Sequence, residues 1–471
     1  MQALAKNFIS SAYLGWIIAL LLPAGLYHML LSSDMSWAGV NFSVIFSAAL
    51  VMWIFRLVPE YVPAIFIILA TILLGLAPQQ IILSGFSSDS FFLALSVFGI
   101  GAVIVKSRVF YRISLFLLKH LPKNKWLLQL SLFFIGLVLT PVITAQSARV
   151  SLLAPLVEDM RKTAGFTPLG RATNSLASSA FFGTILLSVA FLTGKSSNFV
   201  LYGMLSEQTQ WQYSWLHWLE ATSVTAVLLI LAFIILQFFY FRNKEALKVD
   251  RSVILKEQRL MGRISLYEWA AVISIFSLLS GLMTSSLHHI PSAWLSFAIF
   301  FILLTMGLLD KNDFKNGINW PFLFYLGAII GIMRCVQDIG IDQWVAHFLG
   351  SLSDIADDHL LLFLSLIYLL SWVGGFLFGT MAAPALMFAI LLPVSQQAAI
   401  SSWLTAFIIL MATEAWIFPY QSSYFLCFEE WGQEHQSFAL RRLVWQNAWF
   451  SLIRLASILL SIPFWQWMGV L

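Results

Sequence analysis

Long apolar runs separated by short polar interruptions recur from one end of the chain to the other. Roughly 17 to 25 apolar residues suffice for a helix to cross a hydrocarbon core, and about eleven such runs can be marked off in the 471 residues. The pattern predicts an all-α polytopic membrane protein. The first run, Tyr13 to Leu31, follows a single basic residue, Lys6, and ends without a small-residue cleavage pattern, so it is predicted to be a retained span.

The runs are organised as a weak repeat. Phe91 to Leu118 (FFLALSVFGIGAVIVKSRVFYRISLFLL) resembles Phe322 to Leu349 (FLFYLGAIIGIMRCVQDIGIDQWVAHFL), each an apolar span followed by an amphipathic stretch. Farther on, each half has an apolar arm too interrupted to be one straight span: Thr140 to Leu156 (TPVITAQSARVSLLAPL) and Gly374 to Pro393 (GGFLFGTMAAPALMFAILLP). Both are predicted to be re-entrant hairpins. After each comes a span with a polar break, Phe191 to Gly203 (FLTGKSSNFVLYG) and Trp416 to Phe428 (WIFPYQSSYFLCF), which share Ser-Ser-x-Phe. Small residues for close helix packing would explain either break alone. Two breaks in corresponding places point instead to one central site. Irregular backbone at that depth is tolerated only in a protein interior or beside a wet cavity.

The predicted organisation is N-terminal spans in 1–57, a first repeat in 58–241 (hairpin about 126–160, broken helix about 172–205) and a basic linker in 242–263. A second repeat with the final span occupies 264–471, with its hairpin at about 359–398 and its broken helix at about 401–430.

Composition fits this picture: 60% of residues are apolar and 10% charged, with a mean hydropathy of +0.86, against about 25% charged in ordinary globular proteins. The net charge of +4 matters through its distribution. Lys106, Arg108, Arg112, Lys119, Lys123 and Lys125 form a basic stretch, and Arg242 to Arg263 is a second. Both are expected on the cytoplasmic side, with the amino terminus. Asp338, Asp342, Asp354, Asp357 and Asp358, without a basic residue among them, belong on the outer side. Opposite charge on corresponding stretches makes the repeats inverted. The basic loops are explained without nucleic acid.

Broken helices in a membrane offer free N–H groups at one half-helix and free carbonyls at the other. The first half adds Thr144, Gln146 and Ser147 at the hairpin tip and Ser196, Ser197 and Asn198 at the break; the second adds Thr380, Gln421, Ser422 and Ser423. Arg149 and Lys195 stand among them. A charge at mid-membrane costs about 2.5 to 3.5 kcal/mol on insertion scales, so each must either hold an anionic substrate or pair with a carboxylate such as Glu414. Glu414, in FIILMATEAWIF, is the candidate coupling group, because an intramembrane carboxylate can exchange a proton between two access states. Arg334 and Asp338, four apart, are expected to pair at a span end. His288, His289 and His347 match no metal-ligand spacing, Cys335 and Cys427 are isolated, and no glycine loop for phosphate supports ATP-driven pumping. Metal-binding and catalytic residues are not predicted, and an enzyme is not expected.

The order of elements from Val58 to Phe450 resembles the divalent anion:sodium symporter family of the ion transporter superfamily. The phrases VPEYVPAIFIILATILLGLAP, GFSSDSFFLALSVFGIGAVIVKS and INWPFLFYLGAIIGIM, with the two hairpin-and-break units, carry the likeness. The resemblance implies Ser-Asn-Thr at each tip and a Thr-Pro-x-Asn-like motif at each break, together holding two sodium ions and substrate carboxylates. Counting back from Pro155 and Pro393, the tips here become Ala145-Gln146-Ser147 and Ala383-Pro384-Ala385. The first break becomes Gly194-Lys195-Ser196-Ser197-Asn198, and Tyr424 stands at the second asparagine position. Lys195 thus replaces a sodium-coordinating threonine as a tethered cation. These departures argue against sodium coupling, and no cofactor is expected.

The expectation is a secondary active transporter of a small anion, a dicarboxylate, sulfate or similar, working as an elevator-like homodimer in lipid, in a bacterial inner membrane. Gln146, Ser147, Arg149, Lys195, Ser196, Ser197, Asn198, Thr380, Gln421, Ser422 and Ser423 would bind the anion. A cation/proton antiporter, or a non-transporting receptor or assembly protein, is the alternative.

Overall fold

The computed structural model describes residues 2–119, 124–241, 261–439 and 441–471, and among them it is helical, without strands. Lys123 and most of the basic linker, 242–260, lie outside the described residues. Eight helices there are long and apolar enough to cross a membrane, from Ala12–Leu30 to Arg441–Trp467. Four shorter apolar helices accompany them: Tyr61–Leu73, Trp126–Leu139, Ser292–Thr305 and Ser402–Thr413. Large apolar side chains such as Leu20, Leu73, Phe276 and Phe301 face outward on these helices, as lipid contact requires.

Local sequence sets the helix ends. Ser88 opens Asp89–Lys106 by accepting from the Phe91 N–H, and Asn319 opens Trp320–Ile339 by accepting from that of Phe322. Gly340, with φ +82°, closes the latter and turns the chain into Ile341–Phe348. Ser265 and Glu268 form a capping box at Leu266–Met283.

The first half has the helix Lys125–Leu139, a non-helical stretch, and the helix Gln146–Ala164. Next come Arg171–Ile185, a single turn at Leu192–Gly194, and Ser196–Met204. The second half runs Leu360–Gln397, broken at Gly379 (φ +75°, ψ +171°), then Ser402–Thr413, a turn at Pro419–Gln421, and Ser423–Glu434. The second tip therefore falls at Gly379 and Thr380, and Ala383-Pro384-Ala385 lies inside the helix beyond it. The positive φ of a glycine sets this tip, so counting back from Pro393 misplaces it.

Two kinds of contact hold the parts in register. Glycine lets Lys125–Leu139 lie directly on Arg171–Ile185: a Cβ built on Gly183 would sit 2.4 Å from the Phe133 carbonyl oxygen. Ion pairs tie the halves at one face. Arg112 donates to Glu268 at 2.6 Å and to the carbonyls of Met261, Gly262 and Arg263, and Lys106 pairs with Asp310 and Asp313. Arg334 and Asp338 form no salt bridge in the structure; Arg334 instead lines two cavities.

Candidate functional site

The two breaks meet in the interior. At the first, Lys195 sits in extended backbone (φ −157°) just ahead of Ser196–Met204 and is 5% exposed. At the second, Glu414 ends Ser402–Thr413 and is 4% exposed. Lys195 Nζ donates to Glu414 Oε2 at 2.5 Å. The other oxygen, Oε1, accepts from Gln146 Nε2 at 2.8 Å and from the Tyr424 hydroxyl at 3.0 Å. One carboxylate thus collects a donor from the first tip and one from each break.

Behind Gln146, the Ser188 hydroxyl oxygen accepts from Gln146 Nε2 (3.3 Å) and from Arg149 Nη2 (3.0 Å). Arg149 is completely buried, and its Nη1 donates to the carbonyls of Thr140, Ile143 and Gly194. It therefore ties the non-helical stretch after Lys125–Leu139 to the first break. The first tip and first break are laced further by Thr144 Oγ1 to the Thr193 carbonyl (2.9 Å) and Thr193 Oγ1 to that of Pro141 (2.7 Å).

The remaining sequence-predicted residues divide by position. Asn198 donates to the carbonyls of Ser188 and Phe191, while its Oδ1 and the Ser197 hydroxyl are buried without partners. Ser196 is half-buried at the start of its helix, and Ser147 is exposed in the first turn of Gln146–Ala164. In the second half, Gln421 Oε1 accepts from the N–H groups of Ile417 and Phe418, closing its own loop. Ser422 caps Ser423–Glu434 through the Phe425 N–H, and Ser423 is exposed. Thr380 is half-buried beside Gly379, and a Cβ on Gly379 would lie 3.5 Å from an Arg56 guanidinium nitrogen.

Ser188, Tyr424 and Arg56 are reached by folding, not by motif. Nothing in the spacing of Ser188 or Arg56 marks them, whereas Tyr424 is visible as a departure from the expected asparagine.

A cavity of about 360 Å³ opens at the first tip, lined by Ile143, Thr144, Ala145 and Ala148 and, on its rim, by Lys106 and Asp313. At its wall begins Gln146–Ala164, whose first-turn N–H groups have no helical acceptor. The arrangement is suited to electrostatics and not to bond-making: a buried cation, a carboxylate that neutralises it, amide and hydroxyl donors, and a helix start beside a cavity.

A polytopic helical protein with two broken helices meeting at buried charges is a membrane transporter by architecture. Residues 10–471 match the family described as the sodium:sulfate symporter transmembrane region, and the chain belongs to that family. It is a family of transporters, not enzymes.

The chain is 24% identical over 338 residues to the inner membrane protein YbhI of Escherichia coli (strain K12), covering 69% of each. To the putative malate transporter YflS of Bacillus subtilis (strain 168) it is 23% identical over 316 residues, 65% of this chain and 66% of that one. To the L-tartrate/succinate antiporter of Escherichia coli (strain K12) it is 24% identical over 289 residues, 57% of each. A solved structure titled as the Alcanivorax borkumensis YdaH transporter, with an unusual topology, shares the fold with a TM-score of 0.54 at 13% identity, over 85% of this chain and 88% of that one.

Proposed function

We propose that the protein is a secondary active transporter of small dicarboxylates, with Lys195 as its built-in cation. The observation that carries this reading is the Lys195–Glu414 pair between the two breaks, joined through Gln146 to the first hairpin tip, where a cavity opens at Thr144 and Ala145. Glu414, paired with Lys195, holds the place that a substrate carboxylate would take. An arriving dicarboxylate takes over Lys195, with Gln146 and the tip N–H groups beside it, and charge-assisted hydrogen bonds replace those given up by Glu414. Relatives named for malate and for tartrate and succinate support the dicarboxylate class; sulfate is the second candidate.

The tip-and-break units move together in this reading, because they are bonded across the halves. Lys195 reaches Glu414, and the Ser151 hydroxyl lies 3.2 Å from Cys427 Sγ. They slide as an elevator against the scaffold helices Asp89–Lys106 and Trp320–Ile339 of a homodimer. The halves are inverted, and the basic face, with the amino terminus, is cytoplasmic by the positive-inside rule. With an ammonium fixed at the first break, sodium is not required.

The test is uptake and exchange of labelled succinate, malate, L-tartrate and sulfate in proteoliposomes, with and without a sodium gradient. Dicarboxylate exchange is expected at equal rate in both conditions. Strict sodium dependence would overturn the tethered-cation role of Lys195, and absence of flux for all four anions would overturn the transporter reading itself.

A further inference from the structure

One buried charge takes no part in the site so far. Arg454, in the helix Arg441–Leu460, is 1% exposed, and neither its Nη1 nor its Nη2 has a hydrogen-bond partner. Guanidinium is always charged and carries five donors in a rigid fork. Burying it without an acceptor costs several kcal/mol, a cost that is relieved if another state of the molecule supplies an anion.

The same helix packs on the loop that carries Glu414. Asn447, seven residues before Arg454 and on the same face, donates to the Trp416 carbonyl at 2.6 Å, while its Oδ1 and the Trp416 indole N–H are also unpartnered. On the far side Tyr368 donates to the Ser451 carbonyl at 2.7 Å. Glu414 stands two residues before Trp416, so the face of Arg441–Leu460 that carries Asn447 and Arg454 borders the carboxylate's own loop.

The charged and titratable groups around Glu414 are therefore Lys195 from the first break, Arg149 from Gln146–Ala164, Tyr424 from Ser423–Glu434 and Arg454 from Arg441–Leu460. Tyr368, from Leu360–Gln397, faces Arg454. Arg149 is committed to backbone carbonyls, which leaves Lys195 and Arg454 as the cations free to partner the carboxylate. Glu414 itself follows the last residue of a helix, where its side chain is not locked between helical turns.

We propose that Arg454 is the second partner of Glu414: when a substrate carboxylate takes Lys195, Glu414 turns to Arg454. The idea rests on the transport reading above. Before loading, Lys195 and Glu414 are paired and Arg454 stands alone; after loading, both cations are paired. The carboxylate never has to be neutralised by a proton, so substrate binding is proton-neutral. Arg454 is a positioning residue, touching Glu414 and not the substrate.

The experiment measures protons taken up on binding of succinate, malate or L-tartrate by the purified full-length protein, in weak buffer with a pH indicator near neutrality, alongside exchange in liposomes. Wild type is expected to bind without proton uptake. In Arg454→Gln and Arg454→Met, the displaced Glu414 has no cation, so about one proton enters per anion bound. Exchange in these variants then speeds up as pH falls, by up to about tenfold per unit. Arg454→Lys restores proton-neutral binding, and Arg454→Gln combined with Glu414→Gln abolishes the uptake. Proton-neutral binding by Arg454→Gln or Arg454→Met, with wild-type pH dependence of exchange, overturns this proposal alone. Failure of wild type to bind or exchange any of the anions overturns the transport reading and this proposal with it.

Discussion

At the scale of single residues, the interior is arranged around one carboxylate. Glu414 accepts from Lys195, Gln146 and Tyr424, and every one of these donors is carried by a different element. Removing one member of a buried ion pair strands the other charge, at about 3 to 5 kcal/mol, whereas replacing both with apolar groups of similar size is often neutral. Glu414→Leu strands Lys195 and is expected to lower the thermal unfolding midpoint in detergent sharply, whereas Lys195→Met leaves Glu414 able to turn to Arg454 and should lower it less. The double variant should recover most of the loss, yet lose dicarboxylate exchange altogether. A double variant as unstable as the sum of the singles would mean that the two residues do not act as a pair. Tyr424→Phe removes a single donor from Glu414 and should cost only about 1 to 3 kcal/mol by the same measurement.

At the scale of elements, helix contact is set by glycines as much as by apolar bulk. A Cβ at Gly183 meets the Phe133 backbone at 2.4 Å, and at Gly101 it meets nothing within 4 Å. Gly183→Ala is therefore expected to push apart the first hairpin arm and the helix before the first break, costing about 1 to 3 kcal/mol. Gly101→Ala should leave the melting midpoint unchanged or raise it, and equal losses at both positions would contradict this account. The spans themselves are legible in the sequence because lipid imposes long apolar runs, and the breaks are legible because Gly, Pro and Ser interrupt them. The second tip is not, since its place depends on the positive φ of Gly379 and not on distance from Pro393. For the site, Lys195 and Glu414 stand out as charges in apolar surroundings, and pairing between them is one of the two readings the sequence allows. Ser188 joins them only through the turn that follows Arg171–Ile185. The expected bond between Arg334 and Asp338 fails for a tertiary reason: four-residue spacing permits a helical pair, but Arg334 borders two cavities, of about 600 and 330 Å³.

At the scale of the whole molecule, the two halves are fastened at the ends of their units by polar contacts that respond to pH. Glu158, near the surface end of Gln146–Ala164 beside exposed Lys162, accepts from Arg161 Nε and Nη2 at 2.7 Å each and from the Ser437 hydroxyl of the second half at 2.5 Å. Next to it, the Leu169 N–H donates to the Ser437 carbonyl at 2.8 Å and the Ala439 N–H to Asn174 Oδ1 at 2.9 Å. Arg161 foremost, with Ser437 and Lys162, holds the Glu158 carboxyl down to about 2, from an ordinary value of 4.5. A carboxylate whose value is depressed on folding contributes stability that is complete above the unfolded value and lost as pH falls through the folded one. The contribution of Glu158 should thus be constant at neutral pH and vanish between about pH 4.5 and pH 2. Other carboxyls titrate in that window too, so the measurement is a difference: unfolding midpoints of wild type and Glu158→Gln across the range. The two should be farthest apart at neutral pH and converge as pH falls toward 2. A constant gap at every pH would show that Glu158 acts by packing and not by charge. Because this joint ties the first hairpin to the segment after the second break, its loosening should also uncouple the units that are proposed to move together. Anion exchange by Glu158→Gln at neutral pH is then expected to fall while binding of the anion, read at the distant Lys195, stays near the wild-type level.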